Sequence, residues 1–185
     1  RQRQSTVQAT INCMKQTNKQ MKTIRTQIGI IGAGPAGLTL AHWLKSHGID
    51  SVIIEHRSRE YIEARVRAGL LEQNTVDILT QLGLAERLHK EGHRHDGVYL
   101  SFDGERIRVP FGDLTGGRNI TIYGQQEVVK DLVGAWIDGG GEIYFEAEAK
   151  ELVNFLDGKP EIHFVHNGEA GVIHCDFIAA CDGFH

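Results

Sequence analysis

Cysteine is scarce: the 185 residues hold three, Cys13, Cys175 and Cys181, with no CxxC pair. An odd and scattered set excludes a disulfide-built scaffold and a zinc ribbon, and it fits a reducing cytoplasm. Proline is equally rare, with 3 residues, and no Pro-rich linker or internal repeat divides the chain after residue 25. No apolar run approaches the roughly 18 residues of a membrane-crossing helix, so no membrane association is expected. Acidic residues are missing from residues 1–25, where Arg1, Arg3, Lys15, Lys19, Lys22 and Arg25 stand alone. The remainder carries 14 basic against 24 acidic side chains, a net −10. Such a body repels phosphodiester backbones, so nucleic acid is not an expected partner.

What is present is the composition of an ordinary globular chain, 41% hydrophobic with 22 glycines, enough for one domain with a core. Residues 1–20 are rich in Gln, Thr and Asn and too poor in apolar side chains to form a helix face or an amphipathic presequence. They are expected to be a disordered or non-native extension, with Met21 as the natural start and a folded domain over 21–185. The chain stops at CDGFH, on the lip of a strand, and reads as a fragment.

Gln27 to Ile31 is a short β-branched run bounded by glycine, the pattern of a strand buried on both faces. Pro35 suits the first turn of a helix, Leu38, Ala41 and Leu44 follow at helical spacing, and Gly48 supplies a left-handed stop. Ser51 to Glu55 is a second strand. Strand, tight turn, helix and strand within about 30 residues make a βαβ unit, which demands a parallel sheet. Helical patterns follow over Leu71–Leu82, Leu84–Lys90 and Gln126–Asp138. Asp103-Gly104 marks a hairpin between Val98–Phe102 and Glu105–Val109. A strand is expected at Asn119–Tyr123. After Gly139 the chain is β-rich, with strands expected at Glu142–Phe145, Glu148–Leu156, Glu161–His166, Gly171–Cys175 and Phe177–Cys181. The fold class is therefore α/β, a Rossmann-like domain with a parallel sheet plus a β-meander.

Chemistry concentrates first in Gly32-Ala33-Gly34-Pro35-Ala36-Gly37, a complete GxGxxG between strand and helix. Gly32 permits the tight turn, Gly34 lets backbone approach a pyrophosphate, and Gly37 lets the helix pack on the sheet. The helix N-terminus offers unpaired N–H groups and partial positive charge. Glu55 ends the next strand, 18 residues past Gly37; its carboxylate suits a ribose and repels a 2′-phosphate, so FAD or NAD fits here and NADP does not. Arg65 and Arg67 lie in an extended segment and are expected to diverge, one to a pyrophosphate and the other to solvent or a second ligand. Surface pairing with Glu60 or Glu63 is the plainer alternative, and spacing leaves both open. Asp182-Gly183 leaves a buried strand at the end where ligands gather in parallel sheets, though a plain turn has the same signature. His89, His93, His95, His163 and His166 lack the Cys or carboxylate partners of a rigid metal frame, so no metal is expected. Free buried thiols are expected at Cys175 and Cys181.

IGIIGAGPAGLTLAHWL, the Glu55 strand end, EARVRAGLLEQ, ITIYGQQEVVKDL and CDGFH together resemble the FAD-dependent aromatic hydroxylases from Met21 to His185. The resemblance implies FAD in the glycine-loop site, with Gly32, Gly34, Ala36, Gly37 and Glu55 around its adenosine half. It implies that Arg65, Val66, Arg67, Ala68, Gly69 and Leu70 run along the pyrophosphate toward the isoalloxazine, and that Gln125, Asp182 and Gly183 also contact FAD. Arg67, Tyr61 and His185 match positions associated with NADPH, and the segment His56 to Tyr61 leaves NADH open. Family members carry Ser where Ala36 stands, so one hydroxyl contact is absent. The implied activity is hydroxylation of a small aromatic acid, 4-hydroxybenzoate, to 3,4-dihydroxybenzoate with NADPH and O₂. A homodimer is open for the complete enzyme. No catalytic residue is assigned within this chain, which by itself is expected to be inactive. An NAD-linked Rossmann dehydrogenase and a nucleotide-binding fragment without catalysis are the alternatives.

Overall fold

The computed structural model describes residues 21–156 and 158–183. Thirteen strands and six helices follow in order: β1 Lys22–Arg25, β2 Ile28–Ile31, α1 Pro35–Ser46, β3 Ser51–Ile54, α2 Arg59–Ala64, β4 Leu70–Glu72, α3 Gln73–Gln81, α4 Glu86–Glu91, β5 His93–His95, β6 Gly97–Phe102, β7 Glu105–Pro110, α5 Phe111–Thr115, β8 Ile120–Ile122, α6 Gln125–Asp138, β9 Glu142–Tyr144, β10 Ala147–Val153, β11 Glu161–His166, β12 Glu169–His174 and β13 Phe177–Ala180. No helix among the described residues is long and apolar enough to cross a membrane.

The central sheet is parallel, in the order β13-β2-β3-β9. All four residues of β3 are buried, which is why SVII reads as an unbroken apolar run rather than an alternating one. Its side chains divide by period two. Ile53 joins Ile30 in a core with Leu38 and Ala41 of α1 and Val129, Leu132, Val133 and Trp136 of α6. Val52 and Ile54 face the other way, against Ile24, Ile162, Phe164, Ile173 and Cys175. The second core is roofed by the sheet β1-β12-β11-β10, in which β10, β11 and β12 form the expected antiparallel meander. Helices, parallel sheet and meander thus make three layers.

Local chemistry sets the ends. Pro35 opens α1, and Gly48 (φ 70°) follows its last turn. Val129, Leu132, Val133 and Trp136 place one apolar stripe of α6 against the sheet. Asp103-Gly104 (φ 50°, 78°) and Asn167-Gly168 (φ 53°, 74°) both adopt positive φ at successive residues, as two-residue hairpins require. Arg87 of α4 ties that helix to α6 through Asp131 at 2.5 Å and through Glu127. Asp131 also accepts the Tyr123 hydroxyl at 2.7 Å.

Several elements depart from the sequence expectation. A strand, Lys22–Arg25, precedes Ile28–Ile31 and pairs in parallel with β12, across most of the chain. Leu71 lies in β4, held by β8, and the helix begins only at Gln73. The short helix α2 has no buried residue, so it carries no apolar stripe; the Ser58 side chain starts it by accepting the Tyr61 N–H at 3.2 Å. Cys175 is buried as expected, whereas Cys181 is half-buried, and both are free. Cys13 lies outside the described residues.

Candidate functional site

A cleft of about 520 Å³ opens at the carboxyl ends of β2, β3 and β13. The glycine turn after β2 is held from three sides. The Gly32 N–H donates to Ile54 O at 2.8 Å, the Cys181 N–H donates to Ile31 O at 2.7 Å, and the Ala33 N–H donates to Glu55 Oε2 at 2.9 Å.

The three glycines do different work. Gly32 sits at φ +103°, and a Cβ there would stand 2.4 Å from Cys181 O. A Cβ on Gly37 would stand 2.0 Å from Gly32 O, so the first turn of α1 lies directly on the loop. Gly34 is the opposite case: nothing lies within 4 Å of its Cβ position. Gly34 is also the N-cap of α1, which no side chain caps and whose first turn holds no acid. Its N–H groups and the positive end of the helix are therefore left to the cleft. An open Gly34 beside an uncapped helix start fits the diphosphate of a dinucleotide.

Glu55 is buried, 6% exposed, at the end of β3. Its Oε1 accepts the Arg57 N–H at 2.8 Å and lies 2.9 Å from His56 Nδ1. Arg57, Arg65 and Arg67 all line the cleft. The expected divergence of Arg65 and Arg67 is thus corrected: residues two apart along an extended segment share a face, since successive side chains alternate. Nor do they pair with Glu63, whose carboxylate is taken by Arg59 at 2.6 Å. Two guanidiniums approach the Tyr61 ring, with Arg57 Cζ 5.1 Å and Arg65 Cζ 5.8 Å from its centre.

Of the residues expected at the site, Gly32, Gly34, Ala36, Glu55, Tyr61, Arg65, Arg67, Gln125, Asp182 and Gly183 are brought together along this cleft. Gly37 stands behind the loop. Val66 and Ala68 are exposed away from the cleft wall. Gly69 packs on Gly124, where its Cβ would lie 2.9 Å from Gly124 Cα. Leu70 lines a separate groove with Val98, Phe111 and Ile120. His185 lies outside the described residues. Sequence reasoning missed Ile62, Val129 and Cys181; the apolar stripe of α6 was the available signal for Val129. Among the described residues no group of three or more His, Cys, Asp or Glu is placed to hold a metal ion.

Strand, glycine turn, uncapped helix and strand-end carboxylate around one cleft define the class, a dinucleotide-binding α/β domain. The sequence matches the FAD binding domain family over residues 25–185, and the chain belongs to that family. It is 42% identical over 165 residues to p-hydroxybenzoate hydroxylase of Acinetobacter baylyi, covering 89% of this chain and 41% of that protein. It is 29% identical over 178 residues to the FAD-dependent monooxygenase dpmaE of Metarhizium anisopliae, covering 91% and 35%. The crystal structure of p-nitrophenol 4-monooxygenase PnpA from Pseudomonas putida superposes with a TM-score of 0.75 at 21% identity, covering 88% of this chain and 42% of that one, a likeness of fold. The chain spans about two fifths of the length of the p-hydroxybenzoate hydroxylase it matches. Of the two dinucleotides open to the glycine loop, the family supports FAD.

Proposed function

We propose that this chain is the FAD-binding part of a monooxygenase that hydroxylates 4-hydroxybenzoate to 3,4-dihydroxybenzoate, using NADPH and O₂. The observation that carries the reading is the meeting of an uncapped helix start, an unobstructed Gly34 and the Glu55 carboxylate around one cleft. The 42% identity to p-hydroxybenzoate hydroxylase supports the substrate class.

When bound, FAD supplies the redox and oxygen chemistry. The residues of the chain bind and orient it. The start of α1 faces the diphosphate and Gly34 allows its close approach. Glu55 accepts a hydrogen bond from the adenosine ribose. Arg65 and Arg67 line the path assigned from pyrophosphate to isoalloxazine, with Gln125, Asp182 and Gly183 completing the wall. Arg57, Tyr61 and Arg67 are assigned to the NADPH side, where a guanidinium against the 2′-phosphate favours NADPH over NADH. No residue of this chain activates the aromatic substrate, so the chain alone does not turn over. A cytoplasmic location goes with its free thiols.

The test is spectroscopic. The complete polypeptide, purified gently, is expected to show flavin bands, or to quench added FAD fluorescence if isolated colourless. It should then oxidise NADPH faster in the presence of 4-hydroxybenzoate. Absence of any flavin binding overturns the cofactor assignment; flavin binding without 4-hydroxybenzoate-stimulated oxidation overturns the substrate alone.

A further inference from the structure

The Glu55 carboxylate is already engaged by the protein itself. Oε2 accepts the Ala33 N–H at 2.9 Å. Oε1 accepts the Arg57 N–H at 2.8 Å and has His56 Nδ1 at 2.9 Å. A carboxylate oxygen accepts about two hydrogen bonds; each oxygen here has one from the backbone, and the open place on Oε1 has the His56 imidazole standing against it in an ion-pair contact. Both backbone donors are fixed, because Ala33 belongs to the glycine turn and Arg57 to the turn after β3. The imidazole is different. The His56 side chain is 45% exposed against 7% for Glu55, and it lines the same cleft. It is the one neighbour of these carboxylate oxygens that can leave without unmaking the loop.

A ribose offers two neighbouring hydroxyls, and gripping both requires an acceptor site on each oxygen. We propose that His56 sets the affinity of the dinucleotide site by competing with a ribose hydroxyl for Glu55 Oε1. It holds that oxygen in the free protein and gives it up when the nucleotide enters. Binding therefore trades the His56–Glu55 contact for a hydrogen bond from the ribose, and the net gain is smaller than the number of contacts in the complex suggests. The inference rests on the reading of Glu55 as the ribose acceptor. His56 acts here through Glu55 and is a positioning residue.

The experiment is an equilibrium titration of flavin-stripped complete polypeptide with FAD, followed by quenching of flavin fluorescence. His56→Ala removes the competitor and is expected to bind FAD about three- to tenfold more tightly than the parent. His56→Asn retains an amide donor close to the Nδ1 position and is expected to bind like the parent, which separates competition from any general effect of the substitution. Equal or weaker binding by His56→Ala, while the parent binds FAD, overturns the role of His56 and leaves the flavin reading standing. Failure of parent and both variants to bind FAD overturns the flavin reading, and this inference with it.

Discussion

The glycine loop allows one prediction to be worked through with numbers, because two of its glycines share one motif but have opposed surroundings. In Gly37→Ala the new methyl would stand 2.0 Å from Gly32 O and 3.2 Å from Cys181 Cβ. An unstrained C···O contact is about 3.3 Å or more, so helix or loop must move by more than about 1 Å. Overpacking of this kind costs about 1–3 kcal/mol and sometimes more, and the gain of about 1 kcal/mol from alanine in a helix offsets only part of it. Gly34→Ala meets nothing within 4 Å, and its φ of −77° and ψ of 179° are open to alanine. Its stability loss is limited to the weaker capping by alanine, about 0.5–1 kcal/mol. Its methyl, however, projects into the cleft where a diphosphate must approach. In urea unfolding Gly37→Ala should therefore lose more stability than Gly34→Ala. In FAD titration Gly34→Ala should lose about tenfold or more in affinity while remaining folded. If Gly34→Ala proves the more destabilised of the two, or binds FAD like the parent, the division of labour among these glycines is wrong.

Burial, aided by its hydrogen bond to Glu142, pushes Tyr144 up to about 12, and burial with the Asp131 bond pushes Tyr123 upward as well. Both phenols hold their protons more tightly when folded, so their contribution is complete below the ordinary tyrosine value of about 10 and is lost as pH rises above it. The melting temperature should fall from pH 10 to 12, less steeply in Tyr144→Phe; a flat profile would contradict this. Burial also pushes the thiols of Cys175 and Cys181 up, but only Cys181 faces the cleft. A thiol reagent with peptide mapping should label Cys181 ahead of Cys175 in the native chain, and saturating FAD should slow it. Equal labelling of the two would refute the placement.

The parts of the fold legible in sequence are those whose stabilising contacts are local or whose burial is uniform. β2 and β3 read as strands because both faces are covered, and α1 and α6 because their apolar residues recur at helical spacing. Both positive-φ hairpins announced themselves as Asp-Gly and Asn-Gly. β1 did not: KTIR has one buried residue, and it is a strand because β12 lies alongside it. Likewise Leu71 has the spacing of a helix, yet pairing of β4 with β8 draws it into a strand. The Ser58 cap was a readable sign of α2, but the absence of buried residues hid the helix that follows.

For the site, sequence alone determined the kinds of group present: a glycine turn before a helix, a carboxylate at a strand end, arginines downstream and an Asp-Gly after the last strand. Local spacing decides those, because a βαβ unit must put its first turn and second strand end at the same edge of the sheet. Tertiary structure decided which groups share the cleft and which are already partnered. It left Val66, Ala68 and Leu70 off the wall, and brought Val129 and Cys181 in from distant elements. It also spent about half of the Glu55 acceptor places on backbone N–H groups. Side-chain direction and hydrogen-bond capacity depend on neighbours remote along the chain, and no spacing rule encodes them.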